Sequence, residues 1–159
     1  MTRQAPVFAF VVLLIAAIML QMLTLPNAIA PARPLWVPML LAYWTYVSPR
    51  HASLLLAWVT GLALDVLFST VLGQHALGLV LVVYAVARMR RLIIMLPFWQ
   101  TTLALAPIWA GYSFLMFWID GVRGQQADAW LRWLPVASST LLWPFLYPVL
   151  SSLGKPSRD

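Results

Sequence analysis

Besides the hydroxyls of Ser69 and Thr70, three polar side chains interrupt the apolar stretch GLALDVLFSTVLGQHAL, which runs from Gly61 to Leu77. They are Asp65, Gln74 and His75, and a carboxylate near an imidazole could serve as a metal ligand set, a general base or a proton path. The chain offers few other groups for such chemistry, since it contains no Glu and no Cys. The remaining acids and histidine are Asp120, Asp128, Asp159 and His51.

Catalytic and metal sites of familiar types would need more residues than these. A zinc site takes at least three protein ligands, and the lack of Cys excludes thiolate ligands and disulfides. Neither histidine has a serine and an acid beside it in the sequence, and the scattered glycines form no phosphate-binding loop. We therefore predict no catalytic, cofactor-binding or metal-binding residue, and a protein that is not an enzyme.

The composition indicates a membrane protein. Hydrophobic residues make up 63% of the chain and charged residues 9%, whereas water-soluble domains carry about 25% charged residues. Strands of membrane barrels alternate apolar and polar residues, but residues 7–20 are continuously apolar. We therefore expect an all-α integral membrane protein. Its formal net charge of +6 is better explained by membrane topology than by nucleic-acid binding.

Six apolar segments are candidates for membrane helices, which need about 20 residues each. We predict helices at about residues 7–25, 35–47, 51–68, 74–87, 98–119 and 129–150, in one polytopic domain that covers residues 1–159. The second segment is short, so it could lie in a thin region, extend back through Pro31 or enter the membrane obliquely. The last helix is expected to bend at Pro135, Pro144 and Pro148.

The first helix shares two features with a signal peptide, because Arg3 precedes it and Ala28-Ile29-Ala30 follows it. Its apolar run is longer than the roughly 7–15 residues of a signal peptide. Pro31 would also directly follow the cleavage point. We therefore expect this helix to be retained.

The basic residues predict the orientation, since Lys and Arg concentrate on the cytoplasmic side. With the N-terminus inside, the inner segments hold seven basic residues and the outer segments hold three. The seven are Arg3, Arg50, Arg88, Arg90, Arg91, Lys155 and Arg158, and the three are Arg33, Arg123 and Arg132. We therefore predict a multi-pass protein with both termini in the cytoplasm. We interpret Arg88, Arg90 and Arg91 as a cytoplasmic basic anchor that could also contact anionic lipids or a cytoplasmic partner.

Asp65 needs a partner, because a charged side chain at the centre of a membrane costs about 2.5–3.5 kcal/mol on insertion scales. Gly61 and Asp65 share a helix face with Trp58 nearby, and a glycine lets another helix approach closely. The other members of this candidate face come at the start of the next helix and are Gly73, Gln74 and His75. Three interpretations are open: Asp65 hydrogen-bonds within the bundle, contacts another membrane protein, or belongs to a substrate or proton path.

The order and spacing of these residues resemble the rod shape-determining protein MreD family of Gram-negative bacteria. That family's pattern is a G-x-x-x-D-V-L run, then L-G-x-H-A-L, a tyrosine-containing helix, basic residues and L-P-x-W-Q. The matching positions here are Gly61, Asp65, Val66, Leu67, Leu72, Gly73, His75, Ala76, Leu77, Pro97, Trp99 and Gln100. Thr101 departs from the pattern, since family members often carry a second Gln at that position.

The resemblance implies a non-catalytic scaffold in the bacterial inner membrane. It would belong to the elongasome, which builds side-wall peptidoglycan, and would bind the membrane helix of MreC. Through that assembly it would connect indirectly to the elongation transpeptidase, RodA and MreB filaments. The resemblance also implies a fold similar to the S component of energy-coupling-factor transporters. The face with Trp58, Gly61, Asp65 and His75 would either shape a cavity or dock the MreC helix.

The main alternative is the substrate-binding membrane subunit of a small-solute, vitamin-type transporter. Such a subunit should line its cavity with several polar groups and aromatic rings. Apart from Asp65, Gln74 and His75, few polar residues lie within the predicted spans, and the main ones are Gln21, Thr45, Thr60, Ser113 and Ser138. This shortage favours the scaffold.

Overall fold

The structure is a computed structural model of the 159-residue chain, and it describes residues 5–26, 29–48, 53–124 and 130–153. These residues form six α-helices and no β-strand, which confirms the predicted all-α class for this part of the chain. The α-helices are α1 (Ala5–Met22), α2 (Trp36–Val47), α3 (Leu54–Leu67), α4 (Gln74–Ile93), α5 (Phe98–Val122) and α6 (Leu134–Leu153). Short 3₁₀ helices, Ala30–Ala32 and Leu131–Trp133, precede α2 and α6.

α4 and α6 differ most in extent from the prediction, and each does so for a local reason. The basic residues predicted to follow α4 lie inside its last turns, because the helix continues to Ile93 and cations are favourable near a helix C-terminus. α6 begins at Leu134 because the 3₁₀ helix forms the turn before it. Pro135 therefore stands in the first turn of α6, where proline is tolerated, while Pro144 and Pro148 lie inside the helix.

The start of α3 is fixed by a side-chain cap. The Oγ of Ser53 accepts a hydrogen bond from the N–H of Leu56 at 3.0 Å, which satisfies a backbone group that the helix cannot pair. α3 therefore begins at Leu54. His51, where the helix was predicted to start, lies outside the described residues.

Two helical stretches, Phe98–Val122 and Leu131–Ser152, are long and apolar enough to cross a membrane. Two shorter apolar helices are Phe8–Met22 and Leu54–Leu67. The 25 residues of α5 correspond to about 37 Å of helix, more than the roughly 30 Å of a bilayer's hydrocarbon layer. Length and composition thus identify two candidate spans.

α2 lies inside the bundle. Residues 37–45 are all buried, and the helix contacts α1, α4 and α6. Its 12 residues correspond to about 18 Å, which is shorter than the roughly 30 Å of the hydrocarbon layer. Because its neighbours cover it, α2 can be apolar on every side without being a full-length span.

The helix connections lie at two ends of the bundle. The first, called here the Asp65 end, holds the α3–α4 turn and the starts of α2 and α6. At this end the N–H of Leu35 donates to Ser139 Oγ at 2.9 Å, which ties the start of α2 to α6. At the opposite end, Arg90 of α4 donates from Nε to the carbonyl of Tyr46 of α2 at 2.8 Å.

Side chains also pair the backbone groups between α1 and α2. The guanidinium of Arg33 donates to the carbonyls of Gln21 and Leu23 at 2.8 and 2.7 Å, near the C-terminus of α1. Gln21 Oε1 accepts the N–H of Trp36, the first residue of α2, at 3.1 Å. Helix ends leave backbone groups without a partner in their own helix, so these contacts stabilise the end of α1 and the start of α2.

Candidate functional site

The chain leaves α3 through a tight turn that brings Thr70 back over Asp65. Ser69 has a left-handed backbone conformation with a φ of 52°. The N–H of Thr70 donates to the carbonyl of Asp65 at 3.0 Å, and the N–H of Ser69 donates to that of Val66 at 3.3 Å. This pair of hydrogen bonds is the Schellman motif, in which the left-handed residue is usually glycine. The motif places the Thr70 hydroxyl next to the Asp65 side chain.

Asp65 caps the N-terminus of α4 from the neighbouring helix. Its Oδ2 accepts the N–H of Gly73 at 2.8 Å, and its Oδ1 accepts the N–H of His75 at 2.9 Å. Gly73 is the N-cap residue of α4, with a φ of 99°, and has no side chain to provide a cap. A carboxylate at this position also interacts favourably with the helix dipole. The buried Asp65 side chain therefore joins α3 to α4.

Two side chains complete the surroundings of the carboxylate. The Thr70 hydroxyl donates to Asp65 Oδ1 at 2.8 Å, and His75 Nδ1 lies 2.8 Å from the same oxygen. A carboxylate at this distance favours the tautomer that carries a proton on Nδ1. The imidazole is largely buried and packs against the ring of Phe68, with centroids 5.6 Å apart. Asp65 thus has partners for both carboxylate oxygens.

This arrangement differs from a nucleophilic triad. In a triad the acid accepts a hydrogen bond from one imidazole nitrogen, and the nucleophilic hydroxyl is hydrogen-bonded to the other nitrogen. Here the Thr70 oxygen lies 3.3 Å from Nδ1 of His75, the nitrogen that already faces Asp65. The hydroxyl donates to the carboxylate and is not placed for activation by Nε2. The geometry is suited to holding a turn and a helix start together.

α3 and α4 are in close contact at Gly61, one helical turn before Asp65. A Cβ atom added to Gly61 would lie 2.1 Å from the Cα of Ala76 and 2.4 Å from its backbone nitrogen. Any larger residue would therefore overlap the main chain of α4. This close approach brings the first N–H groups of α4 within reach of the Asp65 carboxylate.

Gln74 extends the polar network towards α5 and α6. Its Nε2 donates to Asp120 Oδ1 at 3.0 Å, and it also lies 3.6 Å from the sulfur of Met116. Asp120 Oδ2 forms an ion pair with Nη1 of Arg132, in the 3₁₀ helix before α6. Gln74 Oε1 is buried and has no hydrogen-bond partner among the described residues. The network therefore crosses the Asp65 end from α3 to the start of α6.

The structure brings together most of the predicted candidate face. The members in direct contact around the α3–α4 turn are Gly61, Asp65, Gly73 and His75. Gln74 follows Gly73 but is directed to Asp120. Trp58 lies two helical turns before Asp65 and is 48% exposed, so it belongs to the outer surface of α3.

Arg88, Arg90 and Arg91 have different surroundings, although they were predicted to act together as an anchor. Arg88 and Arg91 are exposed. Arg90 is half-buried and donates to the carbonyl of Tyr46, in the last turn of α2. Carbonyls there have no partner within their own helix. Arg90 therefore caps α2 in addition to carrying charge.

Three residues of the network were missed by sequence reasoning: Thr70, Asp120 and Arg132. A weak signal existed for two of them, because Asp120 and Arg132 carry opposite charges on the two sides of one predicted connection. Across the described ranges, no group of three or more His, Cys, Asp or Glu side chains could hold a metal ion.

A model of the family described as rod shape-determining protein MreD matches residues 1–153. The chain belongs to the MreD family. A protein named rod shape-determining protein MreD, from Haemophilus influenzae, is 23% identical over 148 residues, which cover 93% of this chain and 91% of that protein. No solved structure gives a significant match.

Membership of the MreD family confirms the resemblance and connects the chain with rod shape determination. Together with the two candidate spans, it identifies a membrane protein. It gives no support to the transporter alternative. Within this member of the MreD family, Asp65 hydrogen-bonds inside the bundle, as the first of the three interpretations expects.

Proposed function

We propose that this member of the MreD family is a non-catalytic scaffold of the elongasome in the bacterial inner membrane. In this proposal it binds the membrane helix of MreC and helps to maintain rod shape by coupling MreB filaments to lateral peptidoglycan synthesis. Its links to the elongation transpeptidase and RodA are indirect. The observation that carries the proposal is the family match over residues 1–153.

The contacts of the polar residues support a scaffold. Asp65 uses its carboxylate to cap α4, and Asp120 uses its carboxylate to join Gln74 and Arg132. Both acids therefore stabilise helix packing. A scaffold needs such a rigid interior and an apolar outer surface on which other membrane helices can pack.

The proposal includes one polytopic domain of six spans with both termini in the cytoplasm, arranged as in the S component of energy-coupling-factor transporters. The chain lacks Cys, so single-cysteine variants can be labelled without background. Arg91→Cys should react only with a reagent that enters the cytoplasm, whereas Arg123→Cys should react with an impermeant one. Both side chains are exposed. The reverse labelling pattern would exclude this orientation.

Of the candidate face, Trp58 is the member that a partner helix could contact, because Gly61 and Asp65 are buried against α4. We place the MreC helix on the outer surface of α3 around Trp58. Aromatic side chains supply much of the binding energy in protein interfaces. Trp118 of α5 is 62% exposed and provides a matched control on another helix.

The decisive experiment is affinity purification of the tagged protein in mild detergent, with identification of the membrane proteins recovered. We expect MreC to be recovered with the wild type and with Trp118→Ala, and to be reduced several-fold with Trp58→Ala. Loss of the wild-type protein should give rounded cells, and its re-expression should restore rods. Absence of MreC from the wild-type sample would argue against the scaffold. Equal recovery with both tryptophan variants would reject only the docking surface.

A further inference from the structure

A cavity of about 340 Å³ opens beside the Gln74–Asp120–Arg132 network. Its walls come from the connection before α2, the last turns of α5 and the residues around the start of α6. The lining includes Leu35, Tyr112, Ser113, Met116, Leu131 and Arg132. Its volume lies within the roughly 300–1,000 Å³ that is typical of small-molecule sites.

The cavity has an apolar wall and a polar side. Leu35, Met116 and Leu131 supply apolar surface, and Ser113 supplies a hydroxyl. The guanidinium of Arg132 uses Nη1 for Asp120, its single hydrogen-bond partner among the described residues. Arginine has five N–H donors in a planar fork, so several donors remain to bind an anion. The site is therefore suited to a ligand with an apolar chain and an anionic group.

The position of Arg132 indicates where such a ligand would come from. Trp130 and Trp133 flank it and are 88% and 46% exposed. Exposed tryptophans concentrate at the level of the lipid headgroups in membrane proteins. In a membrane, these tryptophans would hold Arg132 at the depth of the lipid phosphates, and arginine binds phosphate through paired hydrogen bonds.

We propose that this cavity binds a phospholipid, with the phosphate on Arg132 and one acyl chain against Leu35, Met116 and Leu131. Asp120 holds the guanidinium in place and is itself held by Gln74, so the network orients the phosphate-binding donors. This site is separate from the surface around Trp58, and the inference does not depend on MreC binding.

Native mass spectrometry of the delipidated protein, titrated with phosphatidylglycerol in detergent, tests the proposal. We expect Arg132→Gln to weaken binding about tenfold, the size expected for losing charge-assisted hydrogen bonds. Arg123→Gln is the matched control, because Arg123 is an exposed arginine after α5 that does not line the cavity. It should bind as the wild type does. Diacylglycerol, which has the same chains without the phosphate, should bind at least about tenfold more weakly.

A second variant leaves the ion pair of Arg132 intact. Leu131→Trp should fill the cavity and reduce lipid binding while the thermal stability of the protein stays near that of the wild type. Unchanged phosphatidylglycerol binding by both Arg132→Gln and Leu131→Trp would overturn the proposal. Equal binding of diacylglycerol, or an equal loss in Arg123→Gln, would overturn it as well.

Discussion

Asp65 binds His75 through the main chain and the side chain together, since its Oδ1 lies 2.9 Å from the backbone nitrogen and 2.8 Å from Nδ1. The start of α4 cannot move away from α3 without breaking both contacts. The close packing of Gly61 on Ala76 holds the same two helices one turn away. The α3–α4 hairpin is therefore a rigid unit at the Asp65 end.

Replacing Asp65 with Asn should destabilise the protein by about 1–3 kcal/mol, the cost of leaving a buried polar group without its partner. The amide of Asn can accept hydrogen bonds only through its oxygen. Its NH₂ group must therefore face either the N–H of Gly73 or the donors of Thr70 and His75 that surround Oδ1 in the wild type. Unfolding in detergent, followed by circular dichroism during titration with SDS, measures the change. Thr70→Val is the control, because it removes one donor and keeps the carboxylate. It should cost less, and an Asn variant as stable as the wild type would contradict this role.

Replacing Gly61 with Ala should be severe, because the new Cβ would lie 2.1 Å from a main-chain atom of Ala76. Overpacking costs roughly 1–3 kcal/mol, and more where the neighbour cannot move. The same SDS titration reports the loss. Gly111→Ala is the matched control, since its Cβ would meet only a side-chain atom of Leu81 at 3.9 Å. The second substitution Ala76→Gly should give no rescue, as it leaves the clashing backbone in place, and full rescue would disprove this explanation.

Replacing Ser69 with Gly should stabilise the protein by up to about 1 kcal/mol, because a non-glycine residue is penalised in the left-handed conformation. The Ser69 side chain is exposed. Ser69→Val should have the opposite effect, since a β-branched residue fits this conformation poorly. The midpoints of SDS unfolding should therefore rank Gly above Ser above Val. Any other order would mean that the turn does not keep the Schellman geometry.

Replacing Arg90 with Met, which has a similar length and no N–H donor, should cost about 1 kcal/mol, because the carbonyl of Tyr46 loses its donor at the end of α2. Arg88→Met removes the same charge from an exposed position and should have little effect on unfolding. Both variants weaken the positive charge at the end of α4 equally. A difference between them therefore isolates the hydrogen bond, and equal stability would show that Arg90 contributes only charge.

The helices and the proximity of Asp65 to His75 follow from local features of the sequence. Long apolar runs separated by prolines and polar turns predicted six helices, although the end of α4 and the start of α6 lie five or six residues from their predicted positions. The spacing from Gly61 to His75 also placed the glycine, the acid and the next helix start together. These are short-range relations, which periodicity and turn chemistry determine.

Contacts between residues far apart in sequence could not be predicted in this way. Gln74 meets Asp120 across 46 positions, and Arg90 meets Tyr46 across 44. Each depends on how whole helices pack, and a single sequence does not specify that packing. Arg90 is an example, because its place next to Arg88 and Arg91 in the sequence indicates a basic residue at the end of a span and does not indicate a hydrogen bond to α2.

The enclosure of α2 has a consequence for biogenesis. Two of the helices that cover it, α4 and α6, leave the ribosome after it. A segment of only 12 residues is poorly matched to the bilayer on its own, since independent insertion takes about 20. During synthesis α2 can therefore pack first against α1 and then against α4, and it is fully covered only after α6 has been made.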